Sequence, residues 1–399
     1  MGEAIRPLIV LAFLGSVLID TAGVLPGGIT RSSPILDGHS KEPAAVPAQI
    51  KAITFKEDLS IGVAEGDENY MFGSSVVFNV DDQGNIYATD WDLKHIKKYG
   101  PDGKHALTFG RAGQGPGEFQ NPGGVRFAQD GTLYVSENFG NKIMFFDENG
   151  VYLKQMVLPA DIFDIWITPA GTYLGNQQVA PQFVGQGPVE NFIRIFDGHF
   201  RPILELHKDS FSFPDRSLSA AQSQAEITSE FLARPSALAV MGAEGRVYFG
   251  RSDKYSIGVY APEGQKLFTI ARAIEPTPYG RKDIDFLLKE YEENMTSILH
   301  SESLIKEYLR LIRFPKFKPF FRALVPMEGG RLAIVADIED LRSTWLDFFD
   351  AEGRFLGRVK APIPMMNLIF KKGKAYSLYK DDSGFLSIKR YNYDLQRSE

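Results

Sequence analysis

AQDGTLYVSENFGNKIMFFDENG, residues 128–150, reads as two short strands set between glycine turns. Gly131 opens the first strand, centred on Tyr134; after a polar loop, Ile143 and Phe146 mark a second strand that ends at Gly150. Two further stretches of equal length align with it without a gap, DDQGNIYATDWDLKHIKKYGPDG (81–103) and GAEGRVYFGRSDKYSIGVYAPEG (242–264). Both repeat the turn glycine (Gly84, Gly245), the strand tyrosine (Tyr87, Tyr248) and an isoleucine followed three residues on by an aromatic (Ile96 and Tyr99, Ile257 and Tyr260). Alternating apolar residues between glycine turns are the mark of antiparallel strands joined as hairpins.

Weaker copies stand at Gly171 with Phe196, Gly330 with Phe349 and Gly373 with Tyr391, which makes six units. A spacing of about 40 residues is that of a four-stranded propeller blade, and the strand pattern excludes helical solenoids of similar period. The predicted fold is therefore all-β, a six-bladed β-propeller. With strands A to D running outward from the axis, the A–B and C–D turns share one face of the disc; the B–C loops and D–A connections share the other. Every long insertion, at residues 177–190, 208–234 and 276–320, falls in the second set. An open ring would leave an unpaired sheet edge. Unit six reaches Glu399 without a fourth strand, and AITFKEDLSIG (52–62), whose LSIG matches the LTFG at 107–110, is predicted to supply it.

The run GQGPGEFQNPGGVRFAQDGTLYVSENFGNKIMFFDENG (113–150) resembles an NHL-type repeat, and residues 50–396 as a whole resemble the bacterial six-bladed β-propeller family. The likeness is strong in blades one, two and four, moderate in five and poor in three and six. What it implies is a ring of sheets and not a reaction, because such folds host many functions. Many relatives look like envelope-anchored binding proteins, often with a lipobox cysteine that this chain lacks.

Length and composition agree. A chain of 399 residues exceeds one ordinary core unless repeats share it. With 44 Lys and Arg against 50 Asp and Glu the net charge is −6, so no overall positive field draws the chain to nucleic acid or anionic lipid. The absence of cysteine removes disulfides, thiolate metal sites and Cys nucleophiles. Residues 7–19, PLIVLAFLGSVLI, form an uncharged apolar run shorter than the roughly 20 residues that cross a bilayer. Residues 1–23 are expected to be a signal peptide cut after Gly23, with an uncleaved tether as the alternative; either places the rest outside the cytoplasm, periplasmic or secreted. Residues 24–49 read as a flexible linker and residues 50–399 as the propeller.

Within the propeller, residues 281–313 carry apolar positions at helical spacing, Ile284, Leu287, Leu288, Tyr291, Met295 and Ile298, then Leu304, Ile305, Tyr308 and Ile312. A helical hairpin is expected, its second helix capped by Ser301. The following run, RLIRFPKFKPFFRAL (310–324), mixes cations with phenylalanines, and peripheral membrane contact is expected through residues 310–322. On the same face the B–C loops are expected to expose ligand-binding residues: Asp90, Trp91, Glu137, Asn138, Gln177, Arg251, Tyr255, Asp337 and Glu339. Aromatics, amides and charges in that mixture suit a protein, peptide or glycan partner, with Trp91 and Tyr255 offering flat faces.

Catalytic signatures are sparse. A zinc site would need several inward histidines, whereas His39, His95, His105, His199, His207 and His300 fall in the linker, outer strands, a turn, a strand end and the helical arm. A calcium site would draw on Asn121, Asp161, Asp164 and Asn367, a ring poor in carboxylates. No G-x-S-x-G elbow or H-E-x-x-H motif occurs. The expected function is non-catalytic binding without a cofactor; the alternative is a metal-dependent lyase or lactonase using calcium or zinc.

Overall fold

The computed structural model describes residues 25–26, 50–137, 141–181, 187–212, 214, 217–336, 344–361, 366–381 and 383–397. Six four-stranded antiparallel sheets form the ring. Blade one runs Val76–Val80, Ile86–Asp90, His95–Tyr99 and His105–Phe109 from the axis outward. Blades two to five repeat that order, starting from inner strands Pro122–Phe127, Ile162–Ile167, Ser236–Met241 and Phe321–Pro326.

The strand pattern found in the sequence has a packing cause. Each sheet is sandwiched between two neighbours, so both faces of its inner strands are buried and second strands such as Ile86–Asp90, Leu133–Glu137 and Leu332–Ala336 are buried at every position. One face packs forward and the other back: Tyr134 joins Ile162, Ile165 and Phe196 of blade three, while Ile86 and Tyr99 join Tyr376 and Ile388 of blade six. The repeat tyrosines Tyr87, Tyr134 and Tyr248 are at most 2% exposed, and each such ring contributes about 2–3 kcal/mol relative to exposure. Two of their hydroxyls reach the next blade's backbone, Tyr134 accepting from the Ile167 N–H (3.1 Å) and Tyr248 donating to the Gly330 carbonyl (3.1 Å), whereas Tyr87 donates to Asp81 of its own blade (3.4 Å).

Closure follows the expectation and extends it by two residues. Ile50–Ile61 pairs antiparallel with Leu386–Arg397 and completes blade six outside Lys374–Lys380 and Met366–Lys371. Asp58 receives Lys374 (2.7 Å) and Arg390 (2.8 Å), and Glu57 receives Lys389 (3.0 Å). Ile50 and Ile53 also pack on Leu356, Val359 and Ala361 of blade five, so one strand ties together three parts of the ring. Of the expected linker only Leu25–Pro26 is described; it pairs with Ser236 and Ala237 on the inner strand of blade four.

Among the described residues the insertions give three α-helices, where the sequence had suggested two. Helices α1 (Ala220–Ala233), α2 (Arg281–Leu299) and α3 (Glu302–Leu311) pack around Ala221, Ala225, Tyr291, Met295, Ile305 and Tyr308. The missed helix α1 carries a capping box: the Ser219 hydroxyl accepts from the Gln222 N–H (3.2 Å), and the Gln222 side chain accepts from the Ser219 N–H (2.9 Å). That S-x-x-Q pattern is readable in the sequence, but the weak apolar stripe behind it is not. Ser301 stands at the start of α3 as expected, although its hydroxyl meets Ser303 (3.0 Å) and not the helix backbone. No helix among the described residues is long and apolar enough to cross a membrane.

Candidate functional site

The two faces of the ring use most of their carboxylates differently; Asp381, in the B–C loop of blade six, is an exception that accepts from the Ser383 and Phe385 amides just ahead of it (2.9 Å each). On the face of the A–B and C–D turns, an aspartate folds back on the amides two and four residues ahead. Asp81 accepts from Gln83 and Asn85, Asp147 from Asn149 and Val151, Asp197 from His199 and Arg201, and Asp350 from Glu352 and Arg354. These are Asx turns, closed by local geometry. The backbone bond from Arg201 chiefly, with that from His199 and the Arg201 guanidinium, outweighs desolvation and holds the Asp197 carboxyl at about 2.

On the other face, here called the mouth, the polar residue ending the second strand reaches back 16–18 residues to the chain that enters the first strand. Asp90 accepts from the Gly73 amide (2.7 Å), Asp92 from Ser74 (2.6 Å), and Glu137 from Gln120 (3.1 Å) and Asn121. Ser252 accepts from Ser236 (2.8 Å), and Gln177 donates to Asp161 (2.6 Å). These side chains staple the returning chain to the blade.

That finding corrects several expected positions. Asp90 and Glu137 are 0% and 4% exposed, and are buried because the returning backbone covers them. Tyr255, expected as a stacking face, is also buried. It donates to Asp347 (2.5 Å), which two guanidiniums hold from the other side, Arg272 at 3.0 Å and Arg358 at 2.6 Å. Burial first, and then the adjacent carboxylate, push the Tyr255 phenol far above its usual value. Arg251 folds onto Asp253 of its own loop (3.0 Å). Gln177 joins a blade-three network through Arg194, which also pairs with Glu205 (2.6 Å). Trp91 is half-buried, with the Lys94 ammonium 4.9 Å from its ring. Asn138, Asp337 and Glu339 lie outside the described residues.

Other mouth residues emerge only in three dimensions. In blade three a buried relay runs from Gln178 to Asn191 (2.9 Å), to Asp209 (2.9 Å) and to His207 (2.9 Å). At the rim, lysines lie over aromatic rings on three consecutive blades: Lys360 over Trp345 (5.7 Å) on blade five, Lys389 over Tyr379 (5.8 Å) on blade six and Lys94 over Trp91 (4.9 Å) on blade one. Trp91 Nε1, His95 Nε2 and Trp345 Nε1 are buried and have no hydrogen-bond partner among the described residues. Burial, with the Lys97 ammonium beside it, holds the His95 imidazole below its usual value despite Asp90, and hence neutral at pH 7.

Among the described residues no three His, Asp or Glu side chains come together to hold a metal ion. Of the calcium candidates, Asp161 is engaged by Gln177, and Asp164 by Arg126 and Asn176.

With this geometry in hand, the chain was compared with known proteins. A solved structure from Bacteroides fragilis, provisionally described as an exported protein, matches 89% of this chain and 98% of its own at 10% identity and a TM-score of 0.51. A virginiamycin B lyase from Staphylococcus aureus matches 85% and 99% at 10% identity and a TM-score of 0.41. A gluconolactonase from Xanthomonas campestris matches 93% and 98% at 12% identity and a TM-score of 0.40. Such likenesses concern the fold alone, and the last two are too distant to bear on the site. No protein-family model and no curated protein matches the chain, so the NHL-type likeness rests on its residues.

Proposed function

We propose that this chain is a non-catalytic binding propeller acting outside the cytoplasm, with a protein, peptide or glycan partner lying across the mouth rim of blades five, six and one. The observation that carries the reading is the arc of lysine–aromatic pairs at Trp345, Tyr379 and Trp91. Two of the three rings have an indole N–H without an acceptor among the described residues. A buried donor left unpaired costs about 1–3 kcal/mol, and an acceptor on a bound partner is one way to satisfy it. The chemistry suits a partner rich in oxygen acceptors, such as a glycan or an extended peptide, with ring surface for packing and Lys94 and Lys360 for any acidic group.

Labelled protein applied to peptide and oligosaccharide arrays tests this. Retained signal should fall at least tenfold in Trp91→Ala/Trp345→Ala, while Asp147→Ala on the turn face leaves it unchanged. Binding indifferent to both tryptophans would move the site elsewhere, and stoichiometric calcium or zinc co-purifying with a lyase or lactonase activity would overturn the non-catalytic reading.

A further inference from the structure

The helical cap carries a second surface, remote in sequence from the aromatic arc. Residues 277–283 and 316–318 run side by side at the base of the cap: Pro278 pairs with Phe317 as an antiparallel bridge, the Tyr279 N–H donates to the Lys316 carbonyl (3.2 Å), and the Lys318 N–H donates to the Thr277 carbonyl (2.8 Å). This ladder brings Arg281 and Lys282, at the start of α2, beside Lys316. Arg313 is anchored nearby, its N–H donating to the Ser229 hydroxyl of α1 (2.8 Å), and Arg310 ends α3 one turn earlier.

All five cations are exposed. Arg281, with its side chain 95% exposed, makes a loose contact to Asp285 (3.9 Å), and no ion pair holds Lys282, Arg310, Arg313 or Lys316 among the described residues. Between them Phe317 is 42% exposed, with the Lys316 ammonium 5.0 Å from its ring. Acids stand near by as well: Asp285 one turn from Arg281, Glu307 one turn from Arg310, and Glu230 next to Ser229; Asp283 is buried and engaged by Lys318 (2.8 Å). The membrane segment expected at 310–322 is thereby redrawn. Lys318, Phe320 and Phe321 turn inward, whereas Arg281 and Lys282 join from some thirty residues away.

The helix dipole favours Arg310 and Arg313 at the C-terminal end of α3, but helix stability does not account for Arg281 and Lys282. Two cations in the first turn of α2 oppose the helix dipole, and a positive patch on a chain of net charge −6 runs against its average. Cations around an exposed aromatic are what an anionic bilayer surface selects: lysine and arginine meet the headgroup phosphates while the ring enters the interface. Stable attachment generally needs a second signal, and the apolar run at 7–19 would provide one wherever it is retained.

We infer that the base of the helical cap, through Arg281, Lys282, Arg310, Arg313, Lys316 and Phe317, docks on an anionic phospholipid surface. The test is flotation of the purified full chain with vesicles of phosphatidylcholine alone or with 30% phosphatidylglycerol. The comparison of the two vesicle types cancels any binding through residues 7–19. Salt-sensitive preference for the anionic vesicles is expected, weakened about thirtyfold in Lys282→Gln/Lys316→Gln, at the usual strength of one basic residue near such a surface. Arg281→Gln should also weaken it while leaving the melting temperature unchanged or slightly raised, which separates lost docking from lost folding. Phe317→Ser should weaken vesicle binding but not binding to a soluble polyanion such as heparin. Equal flotation with both vesicle types would overturn the inference, as would equal loss of vesicle and heparin binding in Phe317→Ser. None of these substitutions touches the aromatic arc, so either site can fail without the other.

Discussion

The turn face and the mouth face are built from the same residue types, yet an aspartate on one means something different from an aspartate on the other. On the turn face Asp147 reaches Asn149 and Val151; its partners are fixed by the local path of the chain. On the mouth Asp90 accepts from the Asp92 and Leu93 amides just ahead of it but also reaches Gly73, 17 residues back, and Asp347 is held by Tyr255, 92 residues away. Polar loop residues are thus poor evidence of a ligand surface in a propeller, because the chain returning to each inner strand consumes them. On the proposed reading, what remains for a partner is the smaller set of rim groups without internal bonds among the described residues, Trp91 and Trp345 among them.

Four experiments would break or sharpen this contrast. The largest effect is expected from the ring itself: deleting residues 50–61 removes the outer strand of blade six and should abolish cooperative thermal unfolding. A shortened chain with an unchanged melting transition would show that closure is dispensable. Next, Asp347→Ala leaves two guanidiniums facing a buried phenol, and a loss of about 3–5 kcal/mol is expected by urea denaturation. Arg272 and Arg358 are only 25% and 22% exposed in their side chains, so water recovers little of it.

The paired substitution Asp90→Ala and Asp147→Ala compares the faces directly. The first strands buried amides and should cost about 2–3 kcal/mol; the second exposes its amides to water and should cost about 1 kcal/mol. Equal losses would erase the distinction. The smallest effect is a titration. The Asp197 carboxyl, depressed from 3.8 to about 2, favours the fold above its unfolded value, and that contribution drains as pH falls from about 4 to 2. Carboxyl-detected NMR should find its midpoint near 2; an ordinary value would mean that the turn bonds do not persist in solution.

Reading the sequence alone was most successful where structure is local. Gly84, Gly131 and Gly245, with φ between 75° and 89°, sit at turns that favour glycine, and the tyrosines behind them are buried as their spacing implied. The α2–α3 hairpin was legible because apolar residues three and four apart must share a face. Helix α1 was missed because its buried face consists of small residues, Ala221 and Ala225, with little hydrophobic contrast. Tyr255 was misread because nothing near it in sequence announces Asp347.

By itself, the sequence determined the number of blades, the strand that closes them and the face that carries the insertions, since these follow from period and turn chemistry repeated at short range. The tertiary structure alone decided which mouth residues are buried staples, that α1 joins the cap, and that Arg281 meets Lys316. Those outcomes depend on desolvation and charge pairing between segments whose separation along the chain carries no local signal.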